Sequence, residues 1–119
     1  MLSKQALAAL IELKAYTGHS EYVFASRIKD KELSEATIRK CFRNTFTEYK
    51  VVPHGCRHFF STQANESGLF RSDAIETFIS HKDKDQTRKI YNQASYDNER
   101  REIAQWWSDQ LDLARNKTN

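Results

Sequence analysis

Glycine, proline and cysteine are all scarce in this sequence, which has three Gly, one Pro and two Cys among 119 residues. Few Gly and Pro disfavour a turn-rich β-sandwich and favour helices. Two cysteines, Cys41 and Cys56, are too few for a disulfide scaffold. Each falls on a predicted apolar helix face, so we expect both to be reduced core residues of a cytoplasmic protein.

Long apolar runs and a strong excess of charge are also missing. No stretch approaches the roughly 18 apolar residues of a membrane helix, and residues 1–13 lack the compact apolar core of a signal peptide. The net charge is +3 and the pI is about 8.9, which is less basic than many DNA-binding domains. Charge alone therefore predicts no nucleic-acid partner, and the length predicts one domain over residues 1–119.

The hydrophobic spacing predicts a mainly α fold of about six helices. The first helix is predicted from a Ser3 cap to about Thr17, and a short extended piece follows at 21–25. Ser34 is the predicted cap of the second helix. The side chains expected to point inward from these two helices are Leu7, Leu10, Ile11, Ile38, Cys41, Phe42 and Phe46.

The third helix is predicted to begin at Pro53, which suits a first turn, and to stop at Gly68. Three more helices are predicted near 72–79, 87–91 and 97–115. The predicted buried faces comprise Cys56, Phe59, Phe60, Ala64, Ile75, Phe78, Ile79, Ile103, Trp106, Trp107, Leu111 and Ala114. For the two adjacent tryptophans, intramolecular packing and contact with a partner protomer are both open.

The first chemical signal is the pair His54 and Arg57, three residues apart in the first turn of the third helix. A helix N-terminus attracts anions. Arginine binds phosphate with two parallel hydrogen bonds, and histidine exchanges protons near neutral pH. The pair therefore suits a phosphodiester. A surface His and Arg without any ligand is the competing interpretation.

Two further signals follow along the chain. His81 opens a basic turn, where a lone histidine is commonly a cap or a surface residue. Tyr91 ends the short stretch Lys89-Ile90-Tyr91, where half-buried packing is the ordinary role. A phenol with a pKa of about 10 is mostly protonated at neutral pH, so a nucleophilic tyrosine needs neighbouring positive groups.

Taken together, the three signals resemble the tyrosine recombinase (phage integrase) family. Residues 53–62, Pro-His-Gly-Cys-Arg-His-Phe-Phe-Ser-Thr, resemble its P-H-x-x-R-H-x-x-x-T box, and 79–82, Ile-Ser-His-Lys, resemble its L-G-H-K box. Tyr91 falls ten residues after His81 (91 − 81), where the family has its nucleophile. The tail through Trp106 and Trp107 resembles the P4-like prophage branch.

The resemblance implies that His54, Arg57 and His81 contact the scissile phosphate and that Tyr91 attacks it, leaving a 3′-phosphotyrosine and a free 5′-hydroxyl. It implies site-specific DNA integration without metal or other cofactor. The implied partners are double-stranded DNA and further integrase protomers, in the bacterial cytoplasm at the nucleoid, and the isolated chain is expected to be a monomer. The implied DNA contacts are Arg57, Lys82, Lys84, Arg88 and Lys89.

Two departures from the family pattern qualify this expectation. The family has a second catalytic Arg, and a Lys that protonates the leaving 5′-oxygen, both upstream of the helix that opens this chain; neither has a counterpart here. Ser80 also replaces the usual Gly or Ala. We therefore expect the C-terminal part of a catalytic domain, without the upstream catalytic segment or the core-binding and arm-binding domains, and inactive alone. The alternative is a non-catalytic DNA-binding or regulatory module.

A zinc enzyme is the remaining competitor. His54 and His58 have the spacing of a helical zinc pair, but Gly55 stands where a zinc protease has Glu. Arg57 lies between the two histidines and would repel a cation. No metal site is therefore predicted.

Overall fold

The structure, a computed structural model, describes residues 2–28, 31–48, 50–79 and 86–118, with backbone alone for 86–96 and 118. The described residues form five helices: α1 (Lys4–Thr17), α2 (Glu35–Thr45), α3 (Pro53–Glu66), α4 (Ser72–Phe78) and α5 (Gln86–Thr118). The mainly α prediction is confirmed. The helices predicted near 87–91 and 97–115 are one continuous helix, α5.

Contacts divide the chain into two compact units, Met1–Gln5 with Arg57–Asn119, and Ala6–Cys56. We call them the core unit and the α2 unit. In the core unit α4 packs against α5. The apolar core there consists of Phe60, Ala64, Ala74, Ile75, Ile79 and Ile103. Ile75 and Ile103 are fully buried, so the predicted faces of α4 and the middle of α5 are confirmed.

Both tryptophans of α5 pack within the core unit. The Trp106 ring lies 5.3 Å from Phe70, and the Trp107 ring lies 5.4 Å from Phe60, centroid to centroid and edge to face. Gly68 adopts a positive φ of 65° just after α3 ends, as the predicted glycine stop requires. Intramolecular packing thus accounts for both tryptophans, because Phe60 and Phe70 flank the pair from different elements.

The start of α1 is attached to α5 through polar groups. Ser108 Oγ donates to the buried Ser3 Oγ at 2.6 Å, and the Lys4 amide donates to Gln105 Oε1 at 3.0 Å. Gln5 Nε2 donates to both Asp109 Oδ1 and Asp112 Oδ2 at 2.9 Å. Ser3 therefore forms a tertiary contact, and its role as a helix cap stays a prediction.

Asp109 leads to a prediction about acid stability. Hydrogen bonds from Gln5 and then from Gln105, with the nearby charge of Lys4, lower the pKa of Asp109. A lowered folded-state pKa stabilises the fold above the unfolded pKa of about 4, and this contribution is lost as pH falls through the folded value. We expect Asp109→Asn to reduce the loss of thermal stability between pH 5 and pH 2.5.

The matched control for Asp109→Asn is Glu102→Gln, an exposed carboxylate of α5 with no hydrogen bond to a described residue. Melting curves recorded across the same pH range compare the two variants with the parent chain. An acid profile of Asp109→Asn identical to the parent profile would show that these hydrogen bonds contribute nothing to acid stability.

The α2 unit contains a capped helix and a short antiparallel bridge. Ser34 caps α2 as predicted, its side chain accepting from the Thr37 amide at 3.2 Å. The predicted extended piece at 21–25 is reduced to an antiparallel bridge between Ala25 and Glu32. Two backbone bonds frame it, from the Ser26 amide to the Lys31 carbonyl and from the Leu33 amide to the Phe24 carbonyl.

Several predicted core residues of both units are exposed instead. No residue of the α2 unit is among the described buried residues, and Leu7, Ile11 and Phe46 are exposed there. Cys41 and Cys56 are free cysteines, and both are exposed, whereas the sequence predicted that they are buried. On α3 only Phe60 and Ala64 are buried, and Phe59 is exposed. On α5, Leu111 and Ala114 are exposed as well. A helical stripe becomes a core only where another element covers it, and these positions are not covered among the described residues.

Candidate functional site

The first predicted phosphate ligands lie where the sequence places them, in the first turn of α3. Pro53 is the first helical residue and the Cys56 amide donates to the Val52 carbonyl at 3.2 Å, closing the first turn. Helix geometry leaves the amides of His54 and Gly55 without intrahelical acceptors. Proline has no amide hydrogen, so two free backbone donors open this turn.

The side chains of this turn are accessible to a ligand. His54 is exposed and Arg57 is half-buried. Neither side chain forms a hydrogen bond or ion pair with a described residue. His58 and Cys56, on either side of Arg57, are exposed as well.

Gly55 follows His54 in the first turn of α3, and its neighbours leave space for a Cβ atom. A Cβ added there would lie 3.4 Å from Val52 Cγ2, and its φ is not positive. Its backbone therefore does not require glycine. Its value for an anion site is the access that a missing side chain gives to the first-turn amides.

The second box follows α4, a short helix attached to its surroundings at both ends. The Arg71 amide donates to Glu99 Oε1 of α5 at 3.2 Å, and Ser72 Oγ donates to Asn65 Oδ1 of α3 at 3.1 Å. At the other end Ile79 is buried and its amide donates to the Ile75 carbonyl. Ile79 is the last described residue before the second box, and it lies two positions before His81 (81 − 79).

The remaining predicted site residues lie outside the residues or atoms that the structure describes. His81, Lys82 and Lys84 fall in the segment 80–85, which is outside the described residues. Helix α5 includes the backbone of Arg88, Lys89 and Tyr91, but the structure does not describe their side chains. The convergence of His54, Arg57, His81 and Tyr91 on one surface therefore stays a prediction.

The motifs omitted one group of exposed basic residues. Arg39, Lys40 and Arg43 of α2 all have exposed side chains. Arg43 is four residues after Arg39 and three after Lys40, and this spacing could have placed it beside both on the helix surface. No described helix is both long and apolar enough to cross a membrane.

Several known proteins are similar to this chain over most of its length. The chain is 37% identical over 114 residues to the prophage integrase IntA of Escherichia coli strain K12, covering 95% of this chain and 27% of IntA. It is 38% identical over 120 residues to the integrase of Enterobacteria phage P4, covering 98% and 27%. It is 39% identical over 113 residues to the integrase of Shigella phage Sf6, covering 93% and 29%.

The chain thus spans less than a third of the length of these relatives, at 27% to 29%. No solved structure matches it. The model of the phage integrase family matches residues 1–98, which include the α3 turn, the second box and Tyr91. With this match, and with integrases similar over more than nine-tenths of its sequence, the chain belongs to the phage integrase family of tyrosine recombinases.

Proposed function

We propose that this chain carries the phosphate ligands and the nucleophile of a site-specific DNA recombinase that cuts and rejoins strands through a 3′-phosphotyrosine. The observation that carries the proposal is the open first turn of α3, where exposed His54 and half-buried Arg57 flank free amide donors. These groups suit the non-bridging oxygens of a phosphodiester. Family membership supports the same chemistry.

In this proposal Tyr91 attacks the phosphorus while Arg57 and the two histidines, His54 and His81, balance the growing negative charge. The bond from phosphorus to the 5′-oxygen breaks and the tyrosine oxygen takes its place. The phosphoester bond energy is retained, so a 5′-hydroxyl from another strand reverses the step. No nucleotide cofactor is consumed in this exchange.

The chain by itself is proposed to cleave slowly and not to recombine. The family's second arginine and its general-acid lysine have no counterpart that we identify in the 119 residues. Fewer fixed donors stabilise the phosphorane-like transition state, and the leaving 5′-oxygen departs without a proton. Both deficits act on the same step, so their effects on the rate are expected to multiply.

Covalent capture tests this proposal. The chain is incubated with duplexes that have random sequence around a nick placed just 3′ of the cleavage position, so that the short 5′-hydroxyl strand diffuses away. We expect a denaturation-resistant protein–DNA adduct that accumulates slowly. Peptide mass spectrometry is expected to locate the nucleotide on Tyr91.

Tyr91→Phe is expected to abolish the adduct, whereas Tyr96→Phe, a matched change five residues along the same helix (96 − 91), is expected to retain it. An adduct that persists in Tyr91→Phe would refute the assignment of the nucleophile. DNA binding without any adduct, even after long incubation, would favour the non-catalytic DNA-binding or regulatory module.

A further inference from the structure

The N-cap amide of helix α4 is bonded by a side chain of α5. Arg71 is the N-cap residue of α4, and its own side chain forms no capping hydrogen bond. In a capping box the third helical residue reaches back to accept from the N-cap amide, but in α4 that residue is Ala74, which has no acceptor. The Arg71 amide donates instead to Glu99 Oε1 at 3.2 Å. Glu99 therefore supplies from another helix the acceptor that a capping box supplies locally.

The next residue of α4 is bonded to α3. Ser72 Oγ donates to Asn65 Oδ1 at 3.1 Å, and Asn65 Nδ2 donates to the Ser61 carbonyl of its own helix at 2.8 Å. Two consecutive residues, Arg71 and Ser72, thus attach the start of α4 to α5 and to α3. Because α4 has only seven residues, about two turns, a displacement of its start displaces the whole helix.

The other end of α4 leads to the second box. Ile79 is buried there, and His81 follows two positions later (81 − 79). Glu99 lies eight residues after Tyr91 on α5 (99 − 91), a rise of about 12 Å along a helix. A single carboxylate therefore joins the helix whose backbone includes Tyr91 to the helix that precedes His81.

We infer that Glu99 is a positioning residue, which holds α4, and with it His81, in a fixed position relative to Tyr91 on α5. The inference rests on the proposed function, in which His81 contacts the scissile phosphate and Tyr91 attacks it. Attack on phosphorus requires aligned groups, and a displacement of about 1 Å can lower a rate by about 10². Glu99 contacts no reacting atom in this inference and acts through His81.

Two other roles for Glu99 predict different results. A direct DNA contact is disfavoured because a carboxylate repels phosphate. A purely stabilising contact would lower the fraction of folded protein, but it would leave the rate per folded molecule unchanged. The net contribution of one hydrogen bond to folding is small, and Glu99 is half-buried, so Glu99→Ala is expected to remain folded. Circular dichroism checks this.

The test measures single-turnover formation of the covalent adduct on the nicked duplex as a function of DNA concentration. We expect Glu99→Ala to lower the maximal rate by about 10² and to leave the half-saturating DNA concentration unchanged. Glu99→Gln retains a carbonyl oxygen that accepts from the Arg71 amide, so it is expected to stay close to the parent rate. The control Glu102→Ala removes the same charge from an exposed position of α5 and is expected to keep the parent rate.

Two further measurements separate positioning from general damage to the fold. Hydrogen exchange of the Arg71 amide is expected to be faster in Glu99→Ala than in the parent chain. In a double-mutant cycle, Glu99→Ala is expected to cost little further rate once His81→Ala is present, because coupled residues are not additive. Equal losses in both backgrounds would show that Glu99 does not act through His81. Where His81→Ala forms too little adduct to measure, the comparison of Glu99→Ala with Glu99→Gln decides.

Several results would overturn the inference. One is a parent rate in Glu99→Ala, and another is unchanged exchange of the Arg71 amide in that variant. An equal loss in Glu99→Gln would assign the effect to the charge, and a change confined to the half-saturating DNA concentration would assign it to binding. A parent chain that forms no adduct would overturn the proposed function as well. A parent adduct with an unaffected Glu99→Ala would overturn this inference alone.

Discussion

Replacing the scissile 5′-oxygen of the DNA with sulfur is expected to accelerate cleavage by this chain by about 10² to 10⁴, the usual contribution of a general acid. A thiolate leaves without being protonated, so the substitution removes the need for the acid that the chain is proposed to lack. The substrate takes its sequence from DNA recovered in the covalent adduct. Single-turnover rates for the oxygen and sulfur substrates give the ratio directly.

Arg57→Ala separates charge stabilisation from protonation in the same experiment. Its proposed contacts are with non-bridging oxygens, so we expect a loss of about 10² to 10³ in rate on both substrates. Arg101→Ala, an exposed arginine of α5, is expected to change neither rate. Equal cleavage of the oxygen and sulfur substrates by the parent chain would refute the missing-acid proposal, since the chain would then supply its own proton donor.

Ile103→Ala is expected to lower the free energy of unfolding by about 2 to 5 kcal/mol. Ile103 is fully buried in the core unit, in the cluster that also contains Ile75 and Phe60. The truncation removes apolar contacts and leaves a cavity that the neighbouring aromatic rings fill only in part. Because domains are stable by only about 5 to 15 kcal/mol, this loss is a large fraction of the total. Urea unfolding followed by tryptophan fluorescence measures it.

A graded series on the same helix makes the stability measurement specific. Ile103→Val, which deletes one methylene, is expected to cost about 0.5 to 1.5 kcal/mol. Leu113→Ala, at a side chain that is 54% exposed, is expected to stay within about 0.5 kcal/mol. Similar losses for Ile103→Ala and Leu113→Ala would mean that α5 is not packed as the structure has it.

The site was predictable to the extent that it depends on local sequence. The pair His54 and Arg57 lies in the first turn of α3 because Pro53 starts that helix, and both facts follow from neighbouring residues. Exposure did not follow in the same way. Arg57 is half-buried and His54 is exposed, and no motif indicated that Arg39, Lys40 and Arg43 of α2 are exposed. Exposure depends on what other elements cover, which spacing along one helix does not specify.

The cysteines illustrate the same limit from the opposite direction. Cys56 lies four residues before Phe60 on a common helical stripe, and sequence periodicity assigns both to the core. The structure buries Phe60 and exposes Cys56. Periodicity identifies which residues share a helix face. How much of that face is buried depends on the neighbouring element that packs against it.

The sequence by itself determined the helix boundaries that rest on local chemistry. Ser34 caps α2 through its own side chain, Pro53 opens α3, and Gly68 adopts the positive φ that ends it. These choices are local because each depends on hydrogen bonds or backbone sterics within one turn. The order and spacing of the recombinase motifs are likewise properties of the chain alone, and they were sufficient to indicate the family.

Only the tertiary structure decided which apolar residues form the core and how the last segments join. The helices predicted separately near 87–91 and 97–115 are joined through 92–96 in the continuous helix α5. Trp106 and Trp107 both pack inward because Phe70 and Phe60 approach from separate elements. Burial is a property of pairs of surfaces, so a stripe such as Leu7 and Ile11 on α1 stays exposed where no described element covers it. A helix end needs only its own turn, whereas a core needs residues far apart in sequence to meet.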